Sequence, residues 1–113
     1  MSNLLDLAEK LKGIQELFMA LLTILQAEGN NETRYAQSEL RRNIASIDLA
    51  LGVMDYDDLV EAIRNARASY KSMFPPRGGL TEFFIWREGF PERFTANQKI
   101  DQLKAEINRI LEP

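Results

Sequence analysis

Residues 3–29 read NLLDLAEKLKGIQELFMALLTILQAEG, and this stretch decides the fold. Leu4, Leu7, Leu11, Ile14, Phe18, Leu21 and Leu25 recur at alternating steps of three and four. That spacing lays one continuous apolar stripe along a helix. Leu5, Ala8, Leu17 and Leu22 widen the stripe, so the helix is expected to touch more than one neighbour. Asn3 is placed to cap its start, and Asp6 in the first turn complements the helix dipole. Gly29 is expected to stop it as a left-handed residue.

The rest of the chain repeats the pattern. Asn30 and Asn31 make a turn, and either is suited to cap a second helix whose stripe is Ala36, Leu40, Ile44, Ile47 and Leu51. Gly52 is expected to end it. Asp55 reads as the next N-cap, with Asp57 and Asp58 in the first turn. Tyr56, Leu59, Val60, Ile63, Ala66, Tyr70 and Phe74 form the third stripe, and Pro75 and Pro76 forbid its continuation. Thr95 with Gln98 is a capping-box signature for a last helix with Ala96, Ile100, Leu103, Ile107 and Ile110 on its stripe. The expectation is a single all-α domain over residues 1–113, an antiparallel bundle of about four helices with an aromatic Gly/Pro-rich connector before the last one.

Composition removes many chemistries. The chain of 113 residues has no Cys and no His. It therefore has no disulfide, no thiol nucleophile, no His-ligated metal and no imidazole base. The absence of disulfides fits a reducing cytoplasm. The longest strongly apolar run, Leu17 to Leu25, is too short to span a bilayer, and acidic residues precede the first Lys, unlike a signal peptide. Residues 1–61 hold 5 basic and 11 acidic side chains, while residues 62–113 hold 9 and 6. A net charge of −3 argues against non-specific nucleic-acid binding, and the asymmetry suits two faces of opposite sign.

Two constellations carry functional readings. Asp55, Asp57, Asp58 and Glu61 are the densest carboxylates. They read as a helix N-terminus stabilised by negative charge, as an acidic face for a partner, or as a Mg²⁺ site like that of an all-α nucleotide pyrophosphohydrolase. The last reading needs a second acidic pair on a facing helix, and Glu39 and Asp48, nine apart, do not make one. No metal and no cofactor is therefore expected. The connector gathers Arg77, Arg87, the only Trp (Trp86) and most of the phenylalanines. Arg and Trp are frequent interface anchors. Phe83, Phe84, Trp86, Phe90 and Phe94 are expected to be mostly core, with one or two exposed. Gly78-Gly79 matches neither phosphate-loop nor dinucleotide spacing and reads as a tight turn.

The segment from Tyr70 to Arg87, YKSMFPPRGGLTEFFIWR, carries a family resemblance. A helix ends in an aromatic, a Gly-containing turn follows, then Gly79, Leu80, Glu82 and Phe83, with a tail helix from Asn97 to Leu111. It resembles the hallmark of small bacterial helical proteins of the immunity type, carried beside polymorphic toxins; Glu82 stands where such proteins often have Asp. The resemblance implies a cytoplasmic, non-enzymatic protein that neutralises a cognate toxin by occluding its active site. The expected partner-binding residues are Asp55, Asp57, Asp58, Glu61, Arg77, Trp86 and Arg87, with the second helix near Arg41 and Arg42 as the competing surface. A pyrophosphohydrolase-like enzyme and a self-associating bundle without a catalytic role are the alternatives. Monomer and homodimer both stay open, because the first stripe suits a bundle or a partner helix equally.

Overall fold

A computed structural model describes residues 3–111, which form four helices and, among the described residues, no strand. Helix α1 spans Leu4–Glu28, α2 Arg34–Val53, α3 Tyr56–Ser72 and α4 Phe90–Leu111. None is long and apolar enough to cross a membrane.

Helix α1 is the spine. Asn3 Oδ1 accepts the Asp6 N–H at 2.8 Å and caps it as expected. Leu7, Ala8, Leu11, Ile14, Phe18, Leu21 and Leu25 are buried, whereas Leu5 is exposed and does not widen the stripe. Gly29 does not adopt the expected left-handed conformation: its φ is −76° and its ψ 167°. Space, not backbone angle, selects glycine there. A Cβ would run into the Leu25 carbonyl oxygen and Thr33 Oγ1. Asn30, rather than Asn31, caps the 3₁₀ turn Asn31–Thr33 that leads into α2. Gln37 Nε2 then donates to the Leu25 carbonyl at 3.2 Å, while Gln15 Nε2 donates to the Ile44 carbonyl at 3.1 Å and Asp48 at 2.6 Å. These pairings set Gln37 of α2 beside the end of α1, and Ile44 and Asp48 of α2 beside its middle.

The buried face of α2 is Ala36, Leu40, Asn43, Ile47 and Ala50, with Ile44 and Leu51 half-buried beside it. The face is rotated from the expected stripe, with a polar Asn and a small Ala at core positions in place of Ile44 and Leu51. Gly52 does not end α2. The helix runs to Val53, and Met54 takes the left-handed angles, φ 57°, with its N–H on the Ala50 carbonyl at 2.9 Å. Met54 packs against the core, which holds it in that conformation.

Asp55 caps α3, accepting the Asp58 N–H at 3.2 Å. Leu59, Ala62, Ile63, Ala66, Ser69 and Tyr70 are buried, but Tyr56 is half-exposed and off the core. Across the α2–α3 seam, Asn43 Nδ2 donates to Ser69 Oγ at 2.7 Å and to the Glu39 carbonyl at 2.8 Å. Ser69 Oγ donates to the Glu39 carboxylate, which also meets Arg42. The Ser69 hydroxyl and Arg42 together hold the Glu39 carboxyl below its ordinary range.

Helix α4 begins at Phe90, earlier than the Thr95 cap expected from the sequence. Pro91 is tolerated in a first turn, whose N–H groups lack partners anyway. Thr95 therefore lies inside the helix, and its hydroxyl donates back to the Pro91 carbonyl at 2.9 Å. Ile100, Ile107 and Leu111 are buried, and α4 packs mainly on α1.

Candidate functional site

Residues 73–89 join α3 to α4 without regular structure, yet they are firmly held. Gly78 and Gly79 have φ of 74° and 55°, the left-handed turn expected of this pair. The turn brings the Leu80 N–H to the Met73 carbonyl at 2.9 Å and drops Leu80 into the core. Thr81 Oγ1 donates to the Pro75 carbonyl at 2.6 Å. Further on, Asn97 of α4 acts as a surrogate strand. Its Oδ1 accepts the Ile85 N–H at 2.9 Å and its Nδ2 donates to the Ile85 carbonyl at 2.8 Å. Ile85 is buried and clamped, while its neighbours Phe84 and Trp86 are exposed.

The outcome is an aromatic surface. Phe84, Trp86, Phe90 and Phe94 are 57%, 66%, 67% and 56% exposed. Expectation placed most of Phe83, Phe84, Trp86, Phe90 and Phe94 in the core; of these five only Phe83 is partly buried against it. Arg93 sits among them. Its guanidinium lies 4.5 Å from the Trp86 ring centroid and 5.8 Å from that of Phe90. Its Nη1 donates to the Arg87 carbonyl at 3.3 Å. Phe90 and Phe94 stack with centroids 6.2 Å apart. Phe84, Phe90, Arg93 and Phe94, with Gln98 and Asp101, line a groove of about 280 Å³.

Arg87 supports this surface from behind. Both of its terminal nitrogens donate to the Glu28 carboxylate at the end of α1, and Nη1 also reaches the Trp86 carbonyl at 2.9 Å. The Arg87 hydrogen bonds hold the Glu28 carboxyl below its ordinary range, and Glu28 in turn raises Arg87. Arg87 is thus engaged within the fold. Arg77 is exposed in the turn before Gly78.

The acidic residues lie elsewhere. Asp55 is used as a cap, Asp57 and Asp58 are exposed in the first turn of α3, and Glu61 reaches Arg64 at 3.6 Å. Among the described residues, no three carboxylates converge on a point that a metal ion could occupy. The 17 residues of α3 are about 25 Å long, and the acidic start and the connector leave from opposite ends. The structure therefore does not bring Asp55, Asp57, Asp58 and Glu61 together with Arg77, Trp86 and Arg87.

Sequence reasoning missed Phe84, Phe90, Arg93 and Phe94 as a group. A signal for one of them exists: carried back along α4, Phe94 shares a face with the polar Gln98 and Asp101, opposite Ile100 and Ile107. Comparison with protein-family models, curated proteins and solved structures finds no match to this chain.

Proposed function

We propose that this protein is a stoichiometric binder of the immunity type, which neutralises a cognate toxin in the cytoplasm by covering the toxin's active site. One observation carries the reading: four large aromatics are each more than half exposed, and Arg93 lies over Trp86 and Phe90 while lining one groove with Phe84, Phe90 and Phe94. Isolated exposed rings are ordinary, but a contiguous apolar patch marks an interaction site. Trp and Arg are the side chains that most often dominate interface energy. The Asn97 clasp and the Glu28–Arg87 pair fix the backbone beneath them, so little freedom is lost on binding.

Trp86 is the residue of the sequence-derived set that lies in this surface, and Arg87 holds it in place. The test is co-expression with the product of the adjacent gene, followed by pull-down and growth rescue. The reading expects a stable complex and restored growth. No complex and no rescue with the adjacent product would contradict it.

A further inference from the structure

A second surface lies away from the aromatic one, between α2 and α3. Ser46, Leu49 and Val53 of α2 face Asp58, Glu61 and Ala62 of α3 across a groove of about 220 Å³. Leu49 and Val53 are 73% and 64% exposed. They are four apart, so they stand one above the other on the same helical face. A single exposed leucine needs no explanation, but a pair lining one groove does.

We infer that this groove docks a cationic amphipathic helix of a protein partner. Both walls are helices whose backbone groups are already bonded within α2 and α3, so an added strand would find no partners there. A third helix fits the furrow between two others, as α1 does against this same pair. The small residues Ser46 and Ala62 let it approach closely. From Ser46 to Val53 the wall runs two turns, about 10 Å, which matches apolar anchors at i, i+3 or i+4, and i+7.

Charge sets the sign of the occupant. Residues 43–63 contain five acidic side chains and no basic one. Capping accounts for Asp55, and Asp48 accepts from Gln15 on the α1 side. Asp58 and Glu61 remain on the rim of the groove, and Asp57, next in the chain to Asp58, is exposed. Glu61 lies beyond the first turn, where the helix dipole has faded. Its contact with Arg64 joins two exposed side chains and is weak. An apolar floor with an acidic rim repels anionic helices and complements Lys and Arg flanking an apolar stripe. This inference is independent of the toxin-binding reading, because it concerns a different surface.

The experiment uses a synthetic helical peptide of about 14 residues, with Leu on one face and Lys on the others. Its controls are a scrambled peptide of equal composition and a version with Glu in place of Lys. Calorimetry measures affinity, and methyl NMR shifts locate the site. The expected result is binding of the patterned cationic peptide alone, weakened by salt, with shifts at Leu49, Val53 and Ala62. Leu49→Ser/Val53→Ser and Asp58→Asn/Glu61→Gln, all at surface positions, should each lower affinity about tenfold or more. Absence of binding, equal binding of the scrambled peptide, or methyl shifts at Ile85, between Phe84 and Trp86, would overturn the inference.

Discussion

Arg87 in the connector forks onto Glu28 at the end of α1, 59 residues earlier in the chain. This pair fastens the aromatic surface to the spine, and it makes that surface sensitive to acid. The Glu28 carboxyl is held below its ordinary range by the Arg87 hydrogen bond. In the unfolded chain it titrates normally. The pair therefore stabilises the connector above the ordinary glutamate range, and its contribution is lost as pH falls through the lowered folded value. Trp86, the only Trp, is the adjacent reporter. Its fluorescence should change on acidification with a midpoint below the ordinary glutamate range, and Glu28→Gln should abolish that step. An identical titration in Glu28→Gln would assign the change to another group.

Asn43 is a polar residue in the core, 2% exposed, and it joins α2 to α3 through Ser69. Asn43→Ala should cost about 1–3 kcal/mol in urea unfolding, because Ser69 loses a buried partner. Arg42→Ala, which removes a largely exposed partner of Glu39, should cost far less. Equal effects would mean that the seam is held by packing alone.

Two glycines make a paired test of the backbone. Gly79 has a positive φ, and a Cβ there would sit 2.7 Å from Pro75 Cδ and 2.8 Å from the Met73 carbonyl oxygen. Gly79→Ala should destabilise the domain and release Leu80. Gly52 lies inside α2 with nothing within 4 Å of a Cβ. Gly52→Ala should raise stability by about 0.5–1 kcal/mol through helix propensity and a less flexible unfolded chain. Thermal melts of both variants read these opposite signs directly.

Ile14 and Ile107 meet the core from α1 and α4, and both are fully buried. Ile14→Asp and Ile107→Asp should each unfold the domain, since an unpaired charge in an apolar interior is very costly. Retention of the helical circular-dichroism signal and a normal melting temperature in either variant would show that its helix is not part of the core.

The helices were legible because their burial follows the period of the apolar residues. The α1 stripe is buried from Leu7 to Leu25, and Asp55 caps α3 as its position promised. Legibility stopped where tertiary packing overrode a local signal. Met54, not Gly52, took the left-handed position after α2, because the core holds its side chain. Thr95 has the signature of a cap, but Phe90 and Pro91 start α4 earlier, and Phe90 and Phe94 are exposed on its first turns. The candidate site was half visible. Trp86 was singled out by residue type, whereas the partners of Arg93 and the pairing of Arg87 with Glu28 depend on a fold-back that no local pattern encodes. The acidic residues at the start of α3 were clear in the sequence; their distance from the connector follows only from the length of α3.

Growth rescue of cells expressing the adjacent gene product, the proposed toxin, scored with surface variants that keep wild-type circular dichroism, tests the aromatic surface as the binding site. With the aromatic surface as the binding site, Trp86→Ala/Phe94→Ser should abolish protection while Arg41→Glu/Arg42→Glu, on the exposed face of α2, should retain it. Full protection by Trp86→Ala/Phe94→Ser together with loss in Arg41→Glu/Arg42→Glu would contradict the account and move the binding surface to α2.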